Sequence, residues 1–314
     1  MSDLEKPQRD KKQFLEDLVR DLVASYQSES SMQHLDSIFL PNRQKTIEII
    51  ERLRKLVFPG FFDEQRITSE NVSYHVGELL VQTHDLLYEQ VHQAMCYGQN
   101  ERGETDNECD QCCDVAMEAT EAFMRKLPEL REILADDVRA TFDGDPASAS
   151  TDENIFCYPG IDAIFTYRMA HELYKLNVPL LPRIMTEYAH NETGIDIHPG
   201  ATIGRRFCID HGTGIVIGET CDIGNNVKIY QGVTLGALST KGGQDWKGMK
   251  RHPKIEDNVT IYGGAIILGG STTIGESTTI GGAVFITQSI PSNTTVSMDN
   301  LDLKIKPKRE RKNK

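Results

Sequence analysis

Fourteen aliphatic residues in the last 120 positions fall on a six-residue ruler. Ile197, Ile203, Ile209 and Ile215 keep the period, which slips by two and resumes at Ile217, Ile223, Ile229 and Leu235. After a gap of 20 residues it restarts at Ile255, Ile261 and Ile267, slips by one, and continues at Ile274, Ile280 and Ile286. A helix would scatter this spacing around its circumference, and a flat strand would not explain why Gly follows Ile203, Ile217, Ile223, Leu235, Ile274 and Ile280. Short strands joined by tight corners explain both: three hexapeptides make a coil of about 18 residues, and the aliphatics stack along the axis. The pattern predicts a parallel β-helix.

The first half follows another period. Apolar residues at helical spacing run through 14–23, 47–57, 76–95 and 115–134, with Pro59-Gly60 and Pro128 as punctuation. A further helical stretch at 161–176 and the segment 178–188 lead to the ruler. The division expected is an acidic α-helical domain over 1–190, the β-helix over 191–297 with a loop at 236–254, and a basic tail over 298–314.

Charge supports that division. Residues 1–150 carry 30 acidic against 16 basic side chains, whereas 151–314 carry 17 against 18. A pI near 5.2 argues against sequence-independent nucleic-acid binding, because the field repels phosphates. The seven basic residues within 304–314 read as a solvated end. No apolar run reaches the ~18 residues of a membrane span and no signal-peptide core opens the chain, so a cytoplasmic protein is expected. Seven cysteines, an odd number, agree with a reducing compartment. Cys109, Cys112 and Cys113, with Cys96 upstream, form the one cluster; the second pair of a zinc site is missing from the sequence, and no metal is expected. Cys157, Cys208 and Cys221 read as small packing residues.

Chemistry must come from side chains that break the repeat. Three stretches do so: Asp196-Ile197-His198-Pro199, Asp210-His211-Gly212 and Lys250-Arg251-His252-Pro253. His211 follows an axial Ile, so it stands at a corner, and Asp196 lies 15 residues earlier, nearly one coil. A carboxylate on one imidazole nitrogen raises the basicity of the other and equips it to deprotonate a hydroxyl. Equally, both residues could cap corners by bonding backbone amides.

The string DIHPGATIGRRFCIDHGTGIVIGE at 196–219, with VTLG at 233–236 and RHPKI at 251–255, closely resembles serine acetyltransferases. Asp145-Pro146-Ala147, Tyr158-Pro159-Gly160 and Tyr167-Arg168-Met169-Ala170-His171 extend the likeness upstream, so that it covers roughly 140–297. The resemblance implies a left-handed parallel β-helix, and transfer of acetyl from acetyl-CoA to the hydroxyl of L-serine. It implies that His211 is the general base and Asp196 its orienting partner. Asp145 and Asp210 would face the substrate ammonium, Arg251 and His252 its carboxylate, and Glu219 would complete the polar lining. CoA would lie in a groove between neighbouring β-helices, against Gly236, Ala237, Gly263, Gly264, Gly281 and Gly282. A groove shared between chains implies a homotrimer, or a dimer of trimers joined through the helical part. His198 keeps a structural reading, and the loop at 236–254 is read as a lid or partner-contacting arm.

The chain departs from the family in two places. Ser297-Met298-Asp299-Asn300-Leu301 replaces the usual GVPA, and the end Lys312-Asn313-Lys314 lacks the isoleucine peptide that docks a sulfhydrylase, so no such complex is expected. A non-catalytic scaffold or regulatory paralogue is a further reading, against which the retained acid and base argue, and two catalytic readings compete. One is a hexapeptide acetyltransferase for a different hydroxyl acceptor; the other is a trimeric β-helix carbonic anhydrase with zinc on His198, His211 and His252.

Overall fold

A computed structural model describes residues 8–35, 39–101, 109–239 and 241–298. Asp299 to Leu301 and the basic tail with its C-terminal lysine, on which the expectation of no sulfhydrylase complex rests, lie outside the described residues. Backbone contacts divide the chain into Met1–Leu40 and Pro41–Lys314. The first unit holds α1 (Gln8–Ser28), whose Phe14, Leu18, Val19, Leu22 and Val23 are exposed. The second unit combines the remaining helices with the solenoid.

Those helices are α2 (Arg43–Val57), α3 (Val72–Glu101), α4 (Cys109–Gly144), α5 (Thr151–Cys157), α6 (Pro159–Lys175) and α7 (Leu181–Thr193). Asn42 starts α2 by accepting from the Gln44 and Lys45 amides, which satisfies two of the donors a helix N-terminus leaves open. Pro128 does not break the helix as the sequence suggests; α4 runs through it. Leu127, Leu130 and Leu134 on either side are all buried, and that packing outweighs the one backbone bond proline removes.

Among the described residues, fourteen short strands form the solenoid, each side of which is a parallel sheet. Side A stacks β1 (Asp196–Ile197), β4 (Val216–Ile217), β7 (Thr234–Gly236), β10 (Ile266–Leu268) and β13 (Phe285–Ile286). Side B stacks β2 (Thr202–Ile203), β5 (Asp222–Ile223), β8 (Lys254–Ile255) and β11 (Thr273–Ile274). Side C stacks β3 (Cys208–Asp210), β6 (Lys228–Tyr230), β9 (Thr260–Ile261), β12 (Thr279–Ile280) and β14 (Thr295–Val296). The registers are those of the ruler: Ile197 over Ile217, Leu235, Ile267 and Ile286 on side A, and Ile203 over Ile223, Ile255 and Ile274 on side B.

One ruler residue stands elsewhere. Ile215 is fully buried but belongs to no strand; its carbonyl accepts from Asp196 as those of Val233, Ala265 and Val284 accept from Val216, Thr234 and Ile266. Each coil therefore has a second inward position two residues before the rung, and the slip at Ile215 to Ile217 is a step between these columns. The extra residues form the wide corner that carries His211.

The helices are fixed to the first coil by a buried ion pair. Arg168 of α6 donates to Asp137 of α4 through Nε at 2.6 Å and Nη2 at 3.0 Å, and to the carbonyls of Ile203 and Gly204 at 3.2 and 2.7 Å. Asp137 also accepts from the Phe207 amide at 2.9 Å, and the Tyr167 hydroxyl donates to the Ala201 carbonyl at 2.6 Å. Removing one partner strands a buried charge, so Asp137→Ala should destabilise the protein by about 3–5 kcal/mol. Thermal or urea unfolding checks this; a midpoint within error of wild type would show that the pair does not anchor the junction.

Candidate functional site

Ionisable side chains gather on two edges of the prism. The edge between sides C and A carries Asp210 and His211. His211 takes a left-handed conformation with φ 58°, and Gly212 follows at φ 90°. A Cβ on Gly212 would lie 2.5 Å from Ile195 Cδ1, so the turn needs glycine there. The turn aims the imidazole outward: its side chain is 78% exposed, with Nε2 3.6 Å from Asp210 Oδ1. Asp210 Oδ2 lies 2.8 Å from Lys228 Nζ, and Lys228 also donates to the Gly144 carbonyl at 2.6 Å.

That second contact brings the end of α4 to the same edge. Asp145 accepts from the Tyr158 hydroxyl at 2.7 Å and from the Ala147 amide at 2.8 Å. These bonds hold its carboxyl below the usual range, helped by the nearby charges of Lys228 and His211, and push the Tyr158 hydroxyl up to about 12. Sequence reasoning did not single out Lys228; it stands beside Cys208 in the next coil, two residues before Tyr230, the residue that pairs with Asp210.

Asp196 lies on the outer face of β1. No hydrogen bond or ion pair joins it to His211 within the chain. Its carboxylate instead shares a cluster with Glu187 and His190 of α7, their ligand-type atoms all within 4.8 Å of one another.

The edge between sides A and B carries Glu219, Arg251 and His252, with His198 one coil above. Arg251 Nη2 pairs with Glu219 Oε2, and the Tyr174 hydroxyl donates to Glu219 Oε1 at 3.0 Å. Burial raises the Glu219 carboxyl, but these two bonds outweigh it and leave the group below the usual range. Thr220 organises the turn: its hydroxyl accepts from the Arg251 and His252 amides at 2.9 and 3.1 Å, and its own amide donates to His252 Nδ1 at 3.0 Å. His252 is thus a neutral imidazole with its proton on Nε2. A Cβ on Gly218 would meet its ring at 2.1 Å.

Burial, reinforced by Arg251 beside His252 and Arg183 near His198, pushes both imidazoles down to about 4. The unfolded chain then binds protons that the folded chain refuses between pH 6.5 and 4, so stability falls as pH drops through that window. His252 is only 8% exposed, and by pH 5 it should contribute a loss of roughly 1–2 kcal/mol. Melting curves from pH 7.5 to 5 check this, with His252→Asn expected to flatten the profile; an unchanged slope in that variant would contradict the assignment.

Beside this edge, a short 3-10 turn (Gly243–Trp246) folds the loop back. Arg251 donates to the Trp246 carbonyl at 3.3 Å, and a cavity of ≈390 Å³ lies between Glu219, Arg251 and the loop residues Ser239, Gln244, Trp246 and Lys247. The glycines predicted to contact CoA divide between the edges. Gly236 and Ala237 end side A at the Arg251 edge. Gly263, Gly264, Gly281 and Gly282 stand below His211, on the edge between C and A. Three have a local reason as well: Cβ atoms on Gly263, Gly281 and Gly282 would meet Gln231 Nε2 at 2.9 Å, Val296 O at 2.9 Å and Gly263 O at 3.1 Å. Of the isolated cysteines, Cys208 and Cys221 are buried as expected, with thiols pushed up by burial to about 11 and 12, whereas Cys157 is exposed.

A triangular parallel β-helix with an exposed imidazole on one edge and an arginine on another defines a protein of the hexapeptide-repeat acyltransferase class. No family model matches the chain. It is 44% identical over 261 residues to a plasmid-encoded serine acetyltransferase of Synechococcus elongatus, covering 82% of each protein. Two Entamoeba histolytica crystal structures, each in complex with cysteine, superpose well. Serine acetyltransferase 1 gives a TM-score of 0.68 at 36% identity, covering 82% of this chain and 87% of the other. Isoform 3 gives 0.70 at 34% identity, covering 92% and 94%. The chain belongs to the serine acetyltransferase family.

Proposed function

We propose that this protein transfers the acetyl group of acetyl-CoA to the hydroxyl of L-serine, giving O-acetylserine and CoA in the first step of cysteine synthesis, in the cytoplasm. The observation that carries the reading is the exposed imidazole of His211 on the same edge as the carboxylates of Asp145 and Asp210. A serine hydroxyl is a weak nucleophile at neutral pH. His211 takes its proton as the oxygen attacks the thioester carbonyl, and the tetrahedral intermediate collapses with cleavage of the C–S bond. The same imidazolium returns the proton to the CoA thiolate, so no covalent acyl-enzyme forms.

The amino acid is held at both ends. Its ammonium faces Asp145 and Asp210, sharing the latter with Lys228, and its carboxylate faces Arg251, a bidentate donor, and the Nε2 proton of His252. Glu219 sets the position of Arg251. Asp196 acts as the orienting carboxylate of His211, reached by rotation of the exposed ring. CoA lies along the column of small residues below His211.

Since the two ends of this grip stand on different edges, the complete site forms where one edge of a chain meets the other edge of a second copy, as in a closed homotrimer. Thiol release from acetyl-CoA, with serine, threonine and homoserine offered separately, tests the reaction. Serine should give the highest kcat/KM; a faster reaction with either other acceptor, or none with serine, would refute it.

A further inference from the structure

Lys228 takes no direct part in the steps above, yet its ammonium is fully engaged. It opens β6 beside Cys208 of β3, with Ile229 turned inward and Lys228 and Tyr230 outward. Nζ stands 2.8 Å from Asp210 Oδ2, 2.6 Å from the Gly144 carbonyl oxygen and 4.6 Å from the centroid of the Tyr230 ring, which itself stacks on Tyr262 at 4.9 Å. Two oxygens and one ring face account for the three N–H donors of an ammonium. Burial by itself would lower the pKa of this group, but the bonds to Asp210 and Tyr230 outweigh burial and hold it above the usual range, so it is charged at neutral pH.

These contacts join two elements. Gly144 ends α4, and the carbonyls of a last helical turn lack partners within the helix and carry the negative end of its dipole. Lys228 answers both with one cation. The fit is close: a Cβ on Gly144 would lie 3.6 Å from Nζ and 3.7 Å from Cδ of Lys228, so the end of α4 rests on the lysine stem. Asp145 is the next residue. The Tyr158 hydroxyl and the Ala147 amide orient its carboxyl, but both donors lie in the helical part and neither ties it to the solenoid. The pair of Asp143 with Arg206 at 2.8 Å also bridges this end of α4 to the first coil, but its side chains are 59% and 39% exposed, where ion pairs contribute little. Lys228 and Asp210 are 18% and 15% exposed.

We propose that Lys228 is a positioning residue: it pins the end of α4 to β3 and thereby fixes Asp145 at the distance from Asp210 that lets one substrate ammonium meet both carboxylates. This role rests on the reading that Asp145 and Asp210 hold the ammonium of serine, and it adds the group that holds those two carboxylates in place.

A double-mutant cycle on the full chain separates positioning from a merely structural role. Lys228→Met, Asp145→Asn and the double variant are compared by steady-state kinetics with each substrate varied, and gel filtration confirms assembly. Each single change should raise the serine KM about tenfold and leave kcat within about threefold, the pattern of lost ground-state binding, while KM for acetyl-CoA moves less than about twofold in Lys228→Met. The double variant should stay within about threefold of Asp145→Asn, because a displaced Asp145 and an absent one are equivalent. Where Lys228→Met does not assemble, Lys228→Ser, whose smaller side chain admits water to Asp210, enters the same cycle with the same expectations. An unchanged serine KM in an assembled Lys228 variant would overturn the role, and so would a lower one, which would mean that Lys228 competes with the ammonium for Asp210. Single effects that multiply to about a hundredfold in the double variant would equally overturn it, since Lys228 would then act independently of Asp145. If instead Asp145→Asn alone leaves the serine KM unchanged, the reading of the ammonium grip fails, and the positioning role with it.

Discussion

Replacing His211 by alanine should lower kcat at least ~10²-fold with assembly unchanged, because the group proposed to take the serine proton is lost. KM for serine should move far less, since the proposed carboxylate grip, Arg251 and His252, stands on the other edge. Asp196→Ala should cost less than His211→Ala, because orientation is lost while the base remains. Asp210→Ala is the informative companion. Asp210 is the carboxylate nearest the imidazole, at 3.6 Å, and it also pairs with Lys228. Its removal should therefore raise KM for serine as well as lower kcat. Steady-state kinetics on the three variants, with gel filtration to confirm assembly, distinguish these roles. Normal turnover in an assembled His211→Ala protein would refute the assignment of the base.

Mixing two inactive chains should restore activity. His211 stands between sides C and A, whereas Arg251 enters side B through β8, so the halves of the proposed site cannot meet within one solenoid. In a closed ring of three, each interface joins one edge of a chain to the other edge of its neighbour. A ring containing both His211→Ala and Arg251→Ala chains then has one interface in which the imidazole and the guanidinium are both intact. Co-expressed variants should recover roughly a quarter of wild-type activity under random assembly, about one site in three within each mixed ring. Rings of either variant alone should stay near background. Absence of recovery in mixed oligomers isolated by two affinity tags would mean that each chain carries its own complete site.

Arg251 and His252 also show how a site outruns its sequence motif. Their positions rest on Thr220, which bonds both amides and fixes the tautomer of His252, and on the absence of a side chain at Gly218. Neither Thr220 nor Lys228 breaks the repeat or belongs to a charged run, so neither stood out along the chain. Both lie close to one coil, or one coil plus the loop, from the residues they hold. Such pairings are visible only once the stacking register is known.

The sequence by itself determined the solenoid, its axial residues and the corner that carries His211. In a stack of coils every side must place an apolar residue at the same height, so the constraint is written into the chain at a fixed period. Thirteen of the fourteen ruler residues occupy strands, and the exception, Ile215, marks where the coil widens. Contacts between elements left no such period. Tertiary structure alone decided that α4 continues through Pro128, that Arg168 is buried against Asp137, and that His92 of α3 meets Cys113 of α4. It alone set the imidazole and the arginine on separate edges. The physical reason is the same in each case: repetition fixes neighbours at constant separation along the chain, whereas packing joins residues whose separation along it is arbitrary.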